Sequence, residues 1–298
     1  MELGLALPTA GPQTFERLLR PIDKVVLWTG GEPEMVPEFY GSTYEPLETL
    51  SHIAAVTERI KLGTAGLVAP LHVPVMLARR LATLDRFSGG RVIAGLGQGW
   101  QHNEFETANV SISRKGARTE EFIAAMRAAW GPDPVRHEGE FYRIAPSQVN
   151  PKPVRARIPV LLAANAPAAV KRAGRIADGL IPIASSAQEL RDIVSTLHDA
   201  ARETGRDPGD LMVVNQVPWP TPVTREPIGE GRPFLGGSPR QIAEDLMAAR
   251  ESGVTQVYLA GGQGLGLDVG LQAADVDRWL GLLGEVIEAA DRLGVLAP

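Results

Sequence analysis

Short apolar runs alternate along this chain with longer stretches whose apolar residues recur at helical spacing. Residues 3–7 and 25–28 read as the first two strands. Leu47, Leu50, Ile53 and Ala54 mark one face of a helix over 46–58, because side chains three and four apart share a face. Residues 60–67 read as strand three, and Pro74 opens a helix that turns Val75, Ala78, Leu81 and Ala82 inward. Proline fits that first position, where the missing N–H has no helical partner. Residues 91–95 read as strand four, followed by a polar loop and a helix carrying Phe122, Ile123, Met126 and Trp130. The proline- and glycine-rich segment 131–153 reads as an insertion, a short hairpin. Strands five to eight fall at 158–163, 179–183, 211–217 and 254–259, each with an amphipathic helix behind it. The segment 218–237 is too rich in proline and glycine for a helix and is long for a connection, so it reads as functional or disordered.

The strands are nearly continuous apolar runs, as expected when both faces of a parallel sheet are buried. Alternating strands and helices with right-handed crossovers allow a closed barrel or an open doubly wound sheet. Eight strand–helix units favour the barrel, an α/β chain with a (β/α)₈ TIM-barrel fold and insertions. No repeat of fixed period and no domain boundary is visible, so residues 1–298 read as a single domain.

Composition then narrows the function classes. Lys and Arg total 30 against 35 Asp and Glu, a formal charge of −5, with no dense basic run. That argues against a nucleic-acid partner, whose phosphates require clustered cations. The absence of cysteine excludes disulfides, thiolate catalysis and zinc–thiolate sites. No apolar run reaches membrane-spanning length and no signal-peptide pattern is visible, so a soluble cytoplasmic protein is expected. The histidines lack metal-ligand spacing such as H-E-x-x-H, and no metal site is expected.

In a (β/α)₈ barrel the chemistry lies beyond the C-terminal ends of the strands. Thr64-Ala65-Gly66, the run from Gly97 to Glu104, Ala164-Asn165-Ala166-Pro167 and Gly261-Gly262-Gln263-Gly264 occupy such places. Gly95-Leu96-Gly97-Gln98-Gly99-Trp100 fails as a dinucleotide fingerprint, because its sixth position is tryptophan and no helix opens there. Its glycines either let a flat ring approach the backbone or form a tight turn without a ligand. The small residues before the helix at Pro167 offer an anion site of backbone N–H groups. The alternative is an ordinary connection, and for Lys171, Arg172 and Arg175 a solvated helix face is preferred. His102 and Glu104 are the acid–base candidates by position, while His72 could face the site or the solvent.

Several motifs taken together resemble the luciferase-like monooxygenase superfamily. They are Leu62-Gly63-Thr64, Pro74, the run Leu84-Asp85-Arg86-Phe87-Ser88-Gly89-Gly90-Arg91, the run from Gly95 to Trp100, and Asn103-Glu104-Phe105. Pro151-Lys152-Pro153-Val154, Ile158-Pro159-Val160 and the run from Ala173 to Gly179 are similar to the second half of the same family. The resemblance implies a barrel binding FMN or the deazaflavin coenzyme F420, and lies closest to the F420-dependent branch. It implies that a bulge at Ala65 and Gly66, often built with a non-prolyl cis peptide, supports the ring. Gln98, Gly99 and Trp100 would lie beside that ring, and Ala164, Asn165, Ala166 and Pro167 would hold the cofactor tail. Many relatives carry an Asp-His pair just after strand two, where this chain has Thr29 and Gly30. The expected activity is hydride transfer between F420 and a small-molecule substrate. One alternative is an FMN-dependent monooxygenase supplied with reduced flavin by a partner enzyme. Another, motivated by Thr29 and Gly30, is a non-catalytic cofactor-binding barrel. A homodimer is expected from the resemblance alone.

Overall fold

The computed structural model describes residues 1–6, 45–217, 222–260 and 273–296. The strand expected at 25–28, positions Thr29 and Gly30, and the glycine loop at 261–264 lie outside the described residues. In chain order the elements are β1 (Glu2–Ala6), α1 (Pro46–Val56), β2 (Leu62–Gly63), β3 (Leu67–Val68), α2 (Pro74–Ser88), β4 (Val92–Gly97), α3 (His102–Thr107), α4 (Lys115–Trp130), β5 (Val135–Glu138) and β6 (Arg143–Ser147). There follow β7 (Val160–Ala163), α5 (Pro167–Ile176), β8 (Gly179–Ile181), α6 (Ala187–Arg202), β9 (Met212–Gln216), α7 (Pro239–Glu251), β10 (Gln256–Ala260) and α8 (Ala273–Arg292). The chain divides into two compact units, a central one of residues 19–163 and a terminal one of residues 1–18 with 164–298.

In the central unit β2, β3 and β7 all pair parallel with β4, at Leu62↔Val92, Leu67↔Leu96 and Ala94↔Val160. Strand three is therefore two short pieces rather than the single run expected over 60–67. The buried Thr64 is the reason. Its Oγ1 donates to the Gly95 carbonyl at 2.8 Å and accepts from the Gly95 N–H at 3.0 Å, so a side chain replaces the backbone ladder at the break. Both cis peptide bonds among the described residues precede prolines, at Asp133-Pro134 and Asn150-Pro151, so the break at 64–66 is built from trans peptides.

The densest motif of the sequence holds the opposite end of this unit. The Arg91 guanidinium, just before β4, donates to the carbonyls of Ser88 at 2.7 Å, Ile60 at 2.7 Å and Thr57 at 2.7 Å. Arg86 donates to Lys152 O at 2.7 Å and Pro153 O at 3.1 Å, and the buried Asp85 accepts from the Val154 N–H at 2.8 Å. These charges satisfy backbone groups of connections that have no ladder of their own.

The insertion at 131–153 forms the expected antiparallel hairpin, β5 with β6. Its tip is wrapped around Glu121 of α4, whose carboxylate accepts the N–H groups of Glu140 at 3.0 Å, Phe141 at 2.9 Å and Tyr142 at 2.6 Å. The guanidiniums of Arg114 and Arg118 each lie 4.8 Å from the centre of the Phe141 ring.

The terminal unit is more regular. Its strands run in the order β1-β10-β9-β8, all parallel, with Leu3↔Val257, Val257↔Asn215 and Leu180↔Val213 in register. Helix α5 packs on α6, and α7 on α8. Residues 222–237 carry defined contacts, which narrows the reading of 218–237 as functional or disordered. Arg232 donates to Gly236 O at 2.7 Å and forms an ion pair with Asp245 of α7. Gln241 of α7 donates to Ile228 O at 2.8 Å and accepts from the N–H of Ile228 at 3.0 Å. Among the described residues no helix is long and apolar enough to cross a membrane.

Candidate functional site

The strand ends of the central unit are built around two glycines. A Cβ on Gly66 would lie 2.9 Å from the Gly97 nitrogen and 3.0 Å from the Leu96 carbonyl carbon, so β3 reaches β4 only because that side chain is absent. Gly99 has φ +73°, and a Cβ there would lie 2.7 Å from both Val68 and Phe105. The turn at Gly99 thus needs glycine for both its backbone and its packing. Lys115, the first residue of α4, donates from Nζ to the Gly99 carbonyl at 3.1 Å and fixes the turn from outside. Lys115 carried no sequence signal, because its place depends on Arg114 taking the left-handed conformation at φ 53°.

Between the glycines, Gln98 holds a buried Nε2 that has no hydrogen-bond partner. Trp100 is 57% exposed. Residues 102–107, expected as loop, form the short helix α3, and this separates the two acid–base candidates. His102 opens the helix and is exposed, whereas Glu104 is 4% exposed beside the buried Phe105. The local fold gives them different surroundings despite their spacing of two. His72 follows a short 3-10 turn, Ala69–Leu71, that continues from β3. It is half-buried, and burial first, then the nearby Arg80 charge, hold its imidazole below the ordinary value of 6.5. Its surroundings therefore disfavour the protonated imidazolium.

In the terminal unit the turn after β7 carries Ala164, Asn165, Ala166 and Pro167. Asn165 holds the backbone: its Oδ1 accepts from the Ile183 N–H at 3.0 Å and its Nδ2 donates to the Ile183 carbonyl at 2.6 Å. The side chain ties the turn after β7 to the one after β8. Ala166 is the N-cap of α5 and supplies no side-chain cap. The N–H groups of Ala169 and Val170 turn back to the Ala166 carbonyl at 2.8 and 3.0 Å. Residues 165–168 are exposed and all but Asn165 are small or apolar, so the positive end of the helix dipole faces outward uncapped. Ala65, half-buried in the break, and Gly66 complete the places named from the sequence.

Comparison with known proteins supplies the family. The family model described as luciferase-like monooxygenase matches residues 28–230. An uncharacterised protein of Mycobacterium tuberculosis is 35% identical over 222 residues, 74% of this chain and 78% of its own length. An F420-dependent glucose-6-phosphate dehydrogenase of Nocardia farcinica is 30% identical over 59% of this chain and 54% of its own. An FMNH(2)-dependent dimethylsulfone monooxygenase of Pseudomonas putida is 30% identical over 53% of this chain and 44% of its own. The crystal structure of a monooxygenase from Streptomyces bottropensis superposes with a TM-score of 0.76, covering 97% of this chain and 99% of that one, at 22% identity. That likeness shows the fold, the luciferase-like (β/α)₈ TIM barrel read from the strand–helix pattern. With the family model spanning both units and the signature residues found bracing the strands of the central one, this chain belongs to the luciferase-like monooxygenase family, whose members include F420-dependent and FMN-dependent oxidoreductases.

Proposed function

We propose that this protein is an oxidoreductase that uses coenzyme F420 to transfer a hydride to or from a small organic substrate. The observation that carries a ring-binding site is Gln98, and the choice of F420 rests on the likeness of the motifs to the F420-dependent branch and on the Nocardia farcinica relative. The buried Nε2 of Gln98 is a donor with no protein partner, in a turn whose glycines leave no side chain over the backbone. A buried amide N–H left unpaired costs about 1–3 kcal/mol, so a ligand acceptor is the natural recipient. The ring carbonyls of a deazaflavin or flavin are such acceptors, and in this respect the residues fit the group. Ala65, Gly66, Gly99 and Trp100 are the other ring candidates. When bound, F420 supplies a ring carbon that gives or takes a hydride, while the protein orients the partners and excludes water.

The uncapped helix end at Ala166 and Pro167 supports a second assignment, the phosphate of the cofactor, since the positive end of the helix dipole favours an anion. Ala164 keeps the approach free of a large side chain, and Asn165 acts as a positioning residue through Ile183. Proton handling falls to Glu104 and His102, with His72 as a third candidate whose surroundings favour the neutral imidazole. Fluorescence quenching of F420 and of FMN on the purified protein tests the reading. Quenching of F420 at micromolar concentration, with FMN at least tenfold weaker, is expected. The reverse order would assign the protein to the FMN-dependent monooxygenases, a reading that the Pseudomonas putida relative favours.

A further inference from the structure

The turn at Gly99 is held from a distance. Its brace, Lys115, is the first residue of α4, and the residue before it, Arg114, sits at φ 53° and ψ 27°. A residue with a Cβ is disfavoured in that left-handed region, and the conformation persists only where its surroundings hold it. What holds Arg114 lies on the hairpin inserted after α4. The guanidinium meets the carboxylate of Glu140 at the hairpin tip with both of its ends, Nη1 on Oε1 and Nη2 donating to Oε2 at 2.8 Å. It also lies over the ring of Phe141, 4.8 Å from the centre. Arg118, one turn further along α4, lies at the same 4.8 Å from that ring.

An exposed ion pair alone is weak, because solvent screens it and two long side chains must be ordered. This one differs in two respects. It is two-pronged, which fixes the plane of the guanidinium. Its acceptor is also ordered beforehand, since the Glu121 carboxylate, two turns along α4, takes the N–H groups of Glu140, Phe141 and Tyr142. The tip thus reaches from Glu121 back to Arg114, and the start of α4 is held by a segment that follows it in the chain. The connection runs in three steps. The tip holds Arg114, Arg114 sets where Lys115 begins the helix, and Lys115 Nζ holds the Gly99 carbonyl at 3.1 Å. On its other side the turn has no slack, because Val68 and Phe105 already stand 2.7 Å from where a Cβ of Gly99 would be.

We propose that Arg114 and Lys115 are positioning residues for the turn at 98–100, and that the tip of the inserted hairpin sets, through them, how well that turn receives a cofactor ring. This rests on the reading of Gln98 as a ring donor. Arg114 acts through Lys115, and Lys115 acts through the Gly99 carbonyl. Gln98, with its unpartnered buried Nε2, precedes Gly99 and the exposed Trp100 follows it, so a change in the turn moves both ring candidates. The left-handed conformation gives the arrangement a signature of its own. Glycine adopts it freely and alanine does not. Arg114→Gly therefore loses the ion pair but keeps the backbone geometry within reach, whereas Arg114→Ala loses both. A brace working by charge or bulk alone would fail equally in the two.

The test is fluorine NMR of the full-length protein labelled with 5-fluorotryptophan, first without cofactor. The chain has five tryptophans, so Trp→Phe substitutions identify the resonances of Trp100, beside Gly99, and of Trp130, which ends α4 and reports whether that helix stays packed. In Lys115→Met, Arg114→Ala and Phe141→Ala the Trp100 resonance is expected to shift or broaden while that of Trp130 stays. Arg114→Gly is expected to fall between Arg114→Ala and the wild type, and Lys115→Arg, which keeps a cationic donor, to recover most of the loss. Glu140→Gln changes an exposed side chain, keeps the test valid should Phe141→Ala fail to fold, and is expected to act in the same direction. On the same samples F420 quenching is expected to weaken roughly fivefold to tenfold in Lys115→Met, as for a lost charged hydrogen bond, and about twofold to fivefold in Glu140→Gln. A Trp100 resonance unmoved in every variant overturns the proposal, and so does Trp130 moving together with it, which would make the hairpin a general support of the fold. Equal effects of Arg114→Gly and Arg114→Ala overturn the part given to the Arg114 backbone. If Trp100 responds as expected but F420 is quenched by no sample, the cofactor reading fails and the positioning of the turn stands. If F420 binds every variant as it binds the wild type, the proposal falls while the cofactor reading stands.

Discussion

The two units use the same strand–helix alphabet and spend it differently. The terminal unit keeps regular strands, and its site candidates sit where the fold leaves them, at an uncapped helix end. The central unit breaks strand three, inserts the short helix α3 and braces the turn at Gly99 with Lys115. Regular elements expose backbone groups at predictable ends, so an anion can be met there without distorting the chain. A flat ring lying against backbone calls for glycines and a broken ladder, and in the central unit Thr64, Gly66 and Gly99 supply both.

The largest expected effect lies at the break. Gly66→Val places carbon against the Gly97 nitrogen and Ala163, already 2.9 and 3.1 Å from a Cβ. A loss of about 2–3 kcal/mol in chemical denaturation is expected, with cofactor binding lost as a consequence. A variant of wild-type stability with weakened binding would instead make Gly66 a direct ring contact.

Glu104→Gln comes next. Removing a buried carboxylate that has interactions of its own should cost about 1–3 kcal/mol while F420 affinity stays within twofold. The exposed His102→Gln should change stability by less than about 0.5 kcal/mol. If both variants keep the full rate of single-turnover hydride transfer and its pH dependence, acid–base chemistry belongs to neither.

Ala166→Asp separates the terminal unit from the central one by giving two effects of opposite sign. Aspartate is a good N-cap where alanine is a poor one, so thermal stability should rise by about 1 kcal/mol. The same charge repels an anion at the helix end, and F420 affinity should fall roughly tenfold, in a salt-dependent way. Higher stability with unchanged affinity would place the phosphate elsewhere.

The smallest effect is a pH dependence. Burial holds His72 below its ordinary value of 6.5, so the unfolded chain takes up a proton before the folded one as pH falls. Its contribution to stability is present above about pH 6.5 and is lost as pH drops toward the folded value. His198 on α6 shifts in the same direction, by burial first and then by Arg202. Denaturant melts at about pH 7.5 and 5.5 should therefore show part of the pH slope removed in His72→Gln, and a further part in His198→Gln.

Most strands and helices were legible because burying both faces of a parallel sheet forces apolar runs, and burying one face of a helix forces helical spacing. The run 158–163 and the helix opening at Pro167 needed nothing more. The family signature was equally legible. What it meant was not: Asp85, Arg86 and Arg91 brace connections at the far end of the strands from Gln98 and Gly99. Asn165, expected to hold the cofactor, uses both ends of its amide on Ile183, eighteen residues away. Such assignments depend on which backbone groups lack partners, and that is settled only when distant segments come together.

The sequence by itself determined the order of strands and helices, the glycines at 66 and 99, and the family. The elements and the glycines follow from local sterics or from the period of burial, which a chain carries along its length, and the family from the resemblance of its motifs. Tertiary structure alone decided that Thr64 replaces a rung of the ladder, that Glu104 is buried while His102 is exposed, and that the hairpin tip meets Arg114. Those depend on register and packing between segments far apart in sequence, and a shift of one residue in strand register would turn Thr64 to the opposite face.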